Sequence, residues 1–127
     1  MASRPGSPTI TAMGTAKLLA LLATDRALTP DDSAIVRRRM RRDPNEQRHL
    51  AHRIAGGAAR LGGLEVYAKS GTWGPIYADA GIVRQVGSGR QIVIAVFTEA
   101  TPAYHGDFIA DLTERVVRHL LLEPNGG

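Results

Sequence analysis

The apolar positions fall into a few separable patterns. From Thr9 or Thr11, either of which can cap a helix, the run through Lys17-Leu18-Leu19-Ala20-Leu21-Leu22 is apolar nearly all round and predicts a helix buried on more than one side. Asp25 to Thr29 ends it, and Pro30 suits the first turn of a second helix over about 31–42 with Ile35, Val36 and Met40 facing inward. Asp43-Pro44-Asn45 breaks that helix, and 47–60 is helical or irregular. Gly56-Gly57 and Gly62-Gly63 are expected to loosen the chain ahead of the next element.

Period-two alternation then takes over. Leu64, Val66 and Ala68 alternate with Glu65, Tyr67 and Lys69, the pattern of a strand with one buried face. Residues 76–86 and 90–98 flank Gly87-Ser88-Gly89 as an antiparallel hairpin. Ile92 to Phe97 is apolar on both faces, which predicts a mid-sheet position between helical layers. A last helix from Asp107, a candidate N-cap, places Phe108, Leu112, Val116 and Leu120 on one face toward the core. The expected architecture is a layered α/β fold, an antiparallel sheet of at least three strands with helices on both faces. It forms one domain over 9–123, with a disordered lead at 1–8 and a tail at 124–127.

Composition narrows the function classes. The 127 residues suit one domain; with no cysteine, disulfides, thiolate chemistry and a Cys-ligated zinc are excluded. Aromatic residues make up 5%, which argues against base-stacking platforms. No apolar stretch is long enough to span a membrane, and the helix-breaking lead is unlike a signal peptide, so the chain as written is expected to stay in the cytoplasm. The net charge of +4 is concentrated in Arg37-Arg38-Arg39-Met40-Arg41-Arg42. That run reads as a solvated face at a helix C-terminus, the alternative being a phosphate-binding patch of a small nucleic-acid-binding module. His49 and His52 share a helix face but lack a third ligand nearby, so neither a metal nor a cofactor is expected.

The chemistry concentrates at the end of the 64–73 strand. Lys69 and Ser70 offer an ammonium and a hydroxyl, both donors to a carboxylate, and Gly71 permits close approach. Lys69-Ser70-Gly71-Thr72 resembles the K-[TS]-G box of the penicillin-recognising serine hydrolases, the class A β-lactamases and their penicillin-binding relatives. The hairpin and closing helix that follow resemble the C-terminal half of that fold. The resemblance implies that Lys69 and Ser70 hold the carboxylate of a β-lactam-like or peptide substrate, and that the backbone N–H of Thr72 supplies half of an oxyanion hole. Strict alternation sends Lys69 and Ser70 to opposite faces, so a twist or bulge is expected to bring them to one cleft.

The family's other motifs are missing. None of Ser3, Ser7, Ser33, Ser70 and Ser88 has a lysine three residues on, no Ser-x-Asn occurs, and no class A glutamate is recognisable. The next strand opens Tyr77-Ala78-Asp79-Ala80-Gly81, without the family's carboxylate-binding arginine; Arg84 comes later. The chain is therefore expected to be the C-terminal portion of such a hydrolase, inactive alone, its nucleophile lying upstream. The family is usually exported, in contrast to the cytoplasmic expectation. A non-catalytic remnant that binds a partner is a further reading, and self-association through the exposed strand Ile92 to Thr98 is expected.

Overall fold

The computed structural model describes residues 10–73, 75–99 and 107–123. The lead at 1–8 and the tail at 124–127 lie outside them, as does the Thr9 alternative for the first cap. Helix α1 spans Ala12–Ala23, with the Thr11 hydroxyl accepting from Gly14 N–H, and α2 spans Pro30–Met40 behind a Thr29 cap. A two-residue strand β1 (Arg41–Arg42), a 3-10 turn (Arg48–His52) and a short helix α3 (Ile54–Ala59) follow. Strands β2 (Leu64–Trp73), β3 (Ile76–Gln85) and β4 (Gln91–Glu99) form an antiparallel meander in the order β1-β2-β3-β4. Helix α4 (Phe108–Val117) runs on into a π-helical turn (Arg118–Leu122).

Helices cover both faces of the sheet, as the apolar patterns require. On one face Val66, Ala68, Val83, Ile94 and Val96 meet Ile54, Ala58, Ile109, Val117 and Leu121 from α3, α4 and the closing turn. On the other, Ala80 and Ile82 meet Leu19 and Leu22 of α1, with Val36, Met40, Tyr67, Val93 and Ala95 packed around them. Fully burying side chains such as Ile54, Ile82 and Ile109 contributes about 1.5–3 kcal/mol each, so these two layers carry the fold.

Several expectations are corrected. Helix α1 buries one stripe, Leu19 and Leu22, while Met13, Leu18 and Leu21 stay exposed, because among the described residues only the sheet and α2 pack around that stripe. Helix α2 stops at Met40: Arg41 takes an extended conformation, and Arg41–Arg42 pair with Tyr67 and Val66. Ladder bonds to β2 replace further helical ones there, and Ile35 remains exposed. Strand β4 is at the sheet edge among the described residues, not mid-sheet, although both its faces are packed.

The face that α4 buries most deeply is Ile109, Thr113, Val117 and Leu121, one position on from the expected stripe, of which Leu112 and Val116 pack part-buried against the core while Phe108 and Leu120 are exposed. The rotation has a steric cause. Gly57 of α3 lies against the Ala110 carbonyl, where an added Cβ would come within 2.3 Å of the oxygen, so the helices meet through small residues. Gly56 and Gly57 are buried inside α3 and do not loosen the chain. The left-handed turn before β2 belongs to Gly62 and Gly63, at φ 76° and 71°.

Candidate functional site

Ladder geometry defines which backbone groups of β2 are available. Val86 N–H donates to the Gly63 carbonyl at 3.0 Å, one pair beyond Leu64↔Gln85. In an antiparallel ladder, bonded and non-bonded pairs alternate, so odd-numbered residues of β2 exchange their bonds with β3. Even-numbered ones turn N–H and C=O toward the opposite edge. There β1 pairs with Val66 and Tyr67 only, and Ser70 and Thr72 leave their amides at an edge that no described strand covers.

Lys69 reaches that same edge. The β2–β3 register runs unbroken from Leu64↔Gln85 to Trp73↔Ile76, so the expected bulge is absent and the Lys69 and Ser70 side chains leave from opposite faces. The exposed Lys69 ammonium instead curls to the edge and donates to the Ser70 backbone carbonyl at 2.5 Å. The Ser70 hydroxyl, half-buried on the α3 face, bonds to none of the described residues. Gly71 has open space where a Cβ would stand. A cation and two outward amides therefore adjoin one stretch of edge, an arrangement that can receive an oxyanion.

Behind this edge lies a buried polar brace. Arg53, at the start of α3, donates to the Ala78 carbonyl at 2.6 Å and to the Thr72 hydroxyl at 2.7 Å, and its guanidinium stands 3.9 Å over the Tyr77 ring. Asp79 is buried; its carboxylate accepts from Ile54 N–H at 2.9 Å and from its own neighbour Ala80 N–H at 3.1 Å. Burial pushes the Asp79 pKa up, opposed by the Ile54 N–H and by the Arg53 charge. Together these bonds lock α3 to the β2–β3 hairpin and fix Thr72 from behind. Sequence reasoning passed over both residues. A lone aspartate in an otherwise apolar strand was the available signal, since a buried carboxylate requires donors from elsewhere.

The remaining polar residues belong elsewhere. Asp107 occupies the N-cap position of α4, but its carboxylate makes no capping bond; it pairs with His52 Nδ1 at 2.5 Å and lies 3.9 Å from Arg60. The His52 bond holds the Asp107 pKa below its ordinary value. Among the described residues no group of three or more His, Asp or Glu could hold a metal, and no helix is long and apolar enough to cross a membrane.

Comparison with known proteins follows the same outline. No curated protein matches the chain. Of the solved structures, the β-lactamase from Sphaerobacter thermophilus DSM 20745 superposes with a TM-score of 0.74 at 22% identity, over 96% of this chain and 45% of that one. PBP-A superposes with a TM-score of 0.64 at 19% identity, over 84% of this chain and 39% of the other. The chain thus spans less than half the length of either, and the likeness at these identities is one of fold. The profile of the beta-lactamase enzyme family matches residues 1–120, and with the four-stranded sheet and its two helical layers this establishes that the chain belongs to that family.

Proposed function

We propose that this chain supplies the substrate-binding strand of a serine hydrolase that opens β-lactams or related amides through an acyl-enzyme. The observation that carries the reading is the edge of β2 that no described strand covers, where the Lys69 ammonium donates to the Ser70 carbonyl and the Ser70 and Thr72 amides point outward. Lys69 and Ser70 take the substrate carboxylate, Gly71 admits it, and Thr72 N–H donates to the oxyanion, with Arg53 holding the Thr72 side chain in place. The nucleophile and its base come from polypeptide outside these 127 residues, since no serine here has a lysine three residues on. Alone, the chain is inactive.

The test is the protein encoded by the reading frame extended upstream of Met1. It should contain Ser-x-x-Lys followed by Ser-Asp-Asn and hydrolyse a chromogenic β-lactam. In it, Lys69→Ala should lower kcat/KM about 10- to 100-fold, the loss of one charge-assisted hydrogen bond to the substrate. An extended protein without turnover, or turnover by the 127 residues alone, would sink the proposal.

The same reading includes self-association of the isolated chain through β4. Gln91 to Glu99 has no proline or bulge, ends in one carboxylate, and leaves one edge unpaired among the described residues, with Phe97 exposed beside it. Sedimentation should show association that rises with concentration and falls when the exposed Phe97 is replaced, Phe97→Lys. A monomer at high concentration contradicts it.

A further inference from the structure

The arginines of α2 do not stand alone in the tertiary structure. Between α2 and the sheet lie two adjoining hollows of about 310 and 290 Å³. The first is lined by Arg37, Arg38 and Arg41 with Tyr67; the second by Arg37 and Arg84 with Tyr67 and Gln91. Arg37 and Tyr67 line both, so the hollows are neighbours and together make one basic groove.

Charge in this groove is unbalanced. Arg37 pairs with Asp25 at 2.8 Å and Arg41 with Glu65 at 3.5 Å, and Glu65 also accepts from the Tyr67 hydroxyl. Among the described residues the guanidinium of neither Arg38 nor Arg84 makes a hydrogen bond or ion pair, and each lines a different hollow. Each hollow therefore holds an unneutralised guanidinium beside at least one more. Arg84 comes from β3, far from the α2 run in sequence, so the groove is a product of folding and not of the arginine cluster alone.

We infer that this groove binds a small ligand carrying two linked phosphate groups, one in each hollow. A guanidinium presents a planar fork of donors; a phosphate, with three terminal oxygens and nearly two charges, serves two such forks at once, where a carboxylate serves one. The division at Arg37 and Tyr67 matches two anionic groups joined by a short bridge. Hollows this small, with Tyr67 as their one aromatic side chain, suit a small diphosphate better than a nucleic-acid strand, which would need a longer track and stacking surfaces. None of Lys69, Ser70, Gly71 and Thr72 lines the groove, so the inference stands apart from the hydrolase reading.

Calorimetric titration of the 127-residue chain tests it, with pyrophosphate, orthophosphate and a single-stranded oligonucleotide as probes. Pyrophosphate should bind about tenfold or more tighter than orthophosphate, and Arg38→Gln and Arg84→Gln should each weaken it about tenfold, the loss of one charge-assisted contact. Arg118→Gln, outside the groove, should leave it unchanged. Arg38 is exposed and unpaired, so its replacement reports on binding even if Arg84→Gln lowers the melting temperature. Equal affinity for pyrophosphate and orthophosphate, or undiminished binding in Arg38→Gln, overturns the inference. Tighter binding of the oligonucleotide, falling steeply with salt, overturns it in favour of a nucleic-acid surface.

Discussion

Gly57→Ala is expected to destabilise the protein by about 2–3 kcal/mol, the range for forcing extra volume into a packed core. Two effects oppose each other. Alanine is the better helix former by about 1 kcal/mol, which favours the variant. Against it, the new Cβ would lie 2.3 Å from the Ala110 carbonyl oxygen and 2.9 Å from Thr113 Cβ. Neither is the end of a flexible side chain, so relief requires α4 to move away from α3. That movement strips contacts from Ile109 and Val117, both fully buried, and the steric effect wins. Gly87→Ala is the control: its Cβ would meet nothing within 4 Å, and a change within about 0.5 kcal/mol is expected. Urea midpoints of the two variants decide the matter; equal midpoints would mean that α3 and α4 are not in contact through Gly57.

Asp79→Ala is expected to cost about 2 kcal/mol, within the range for leaving a buried donor without its acceptor. The substitution leaves the Ile54 N–H without its acceptor and removes the carboxylate that accompanies the buried Arg53 guanidinium. Arg53 keeps its bonds to Ala78 and Thr72, which limits the loss. Asp79→Asn retains one acceptor oxygen, so about 1 kcal/mol is expected, one neutral hydrogen bond. The pH dependence separates charge from shape. Because the folded pKa is raised above 3.8, the folded chain keeps this proton to higher pH than the unfolded chain does. The Asp79 contribution to stability therefore declines as pH rises from 3.8 through the raised value. The asparagine variant lacks that decline, so its deficit relative to the parent should be largest in acid and shrink as pH rises. A deficit independent of pH would show that Asp79 acts by shape alone.

How far the sequence could be read depended on the range of the interaction. Strands β2, β3 and β4, the Thr11 and Thr29 caps and the α4 span follow from alternation, turn glycines and hydroxyl caps, all of them local. The Lys69-Ser70-Gly71-Thr72 strand was legible for the same reason. What it could not give was that the Lys69 stem turns to the strand edge and donates to the Ser70 carbonyl while alternation keeps the Ser70 hydroxyl on the other face. Arg53 escaped notice because its partners are 19 and 25 residues away. The buried stripe of α4 escaped too, since neighbouring stripes 108-112-116-120 and 109-113-117-121 are both largely apolar, and only the approach of α3 chooses between them.

The residue pattern on its own thus determined that this chain makes a hairpin sheet between helical layers, with a cation, a hydroxyl and a glycine at the end of one strand. Periodicity and turn chemistry act over a few residues and need no knowledge of the rest. Tertiary structure alone decided which amides of β2 stay uncovered, that Asp79 and Arg53 brace them from behind, and that Arg84 joins the arginines of α2 around a groove. Those outcomes depend on register and close packing, where one residue's place is set by backbone far from it in the chain.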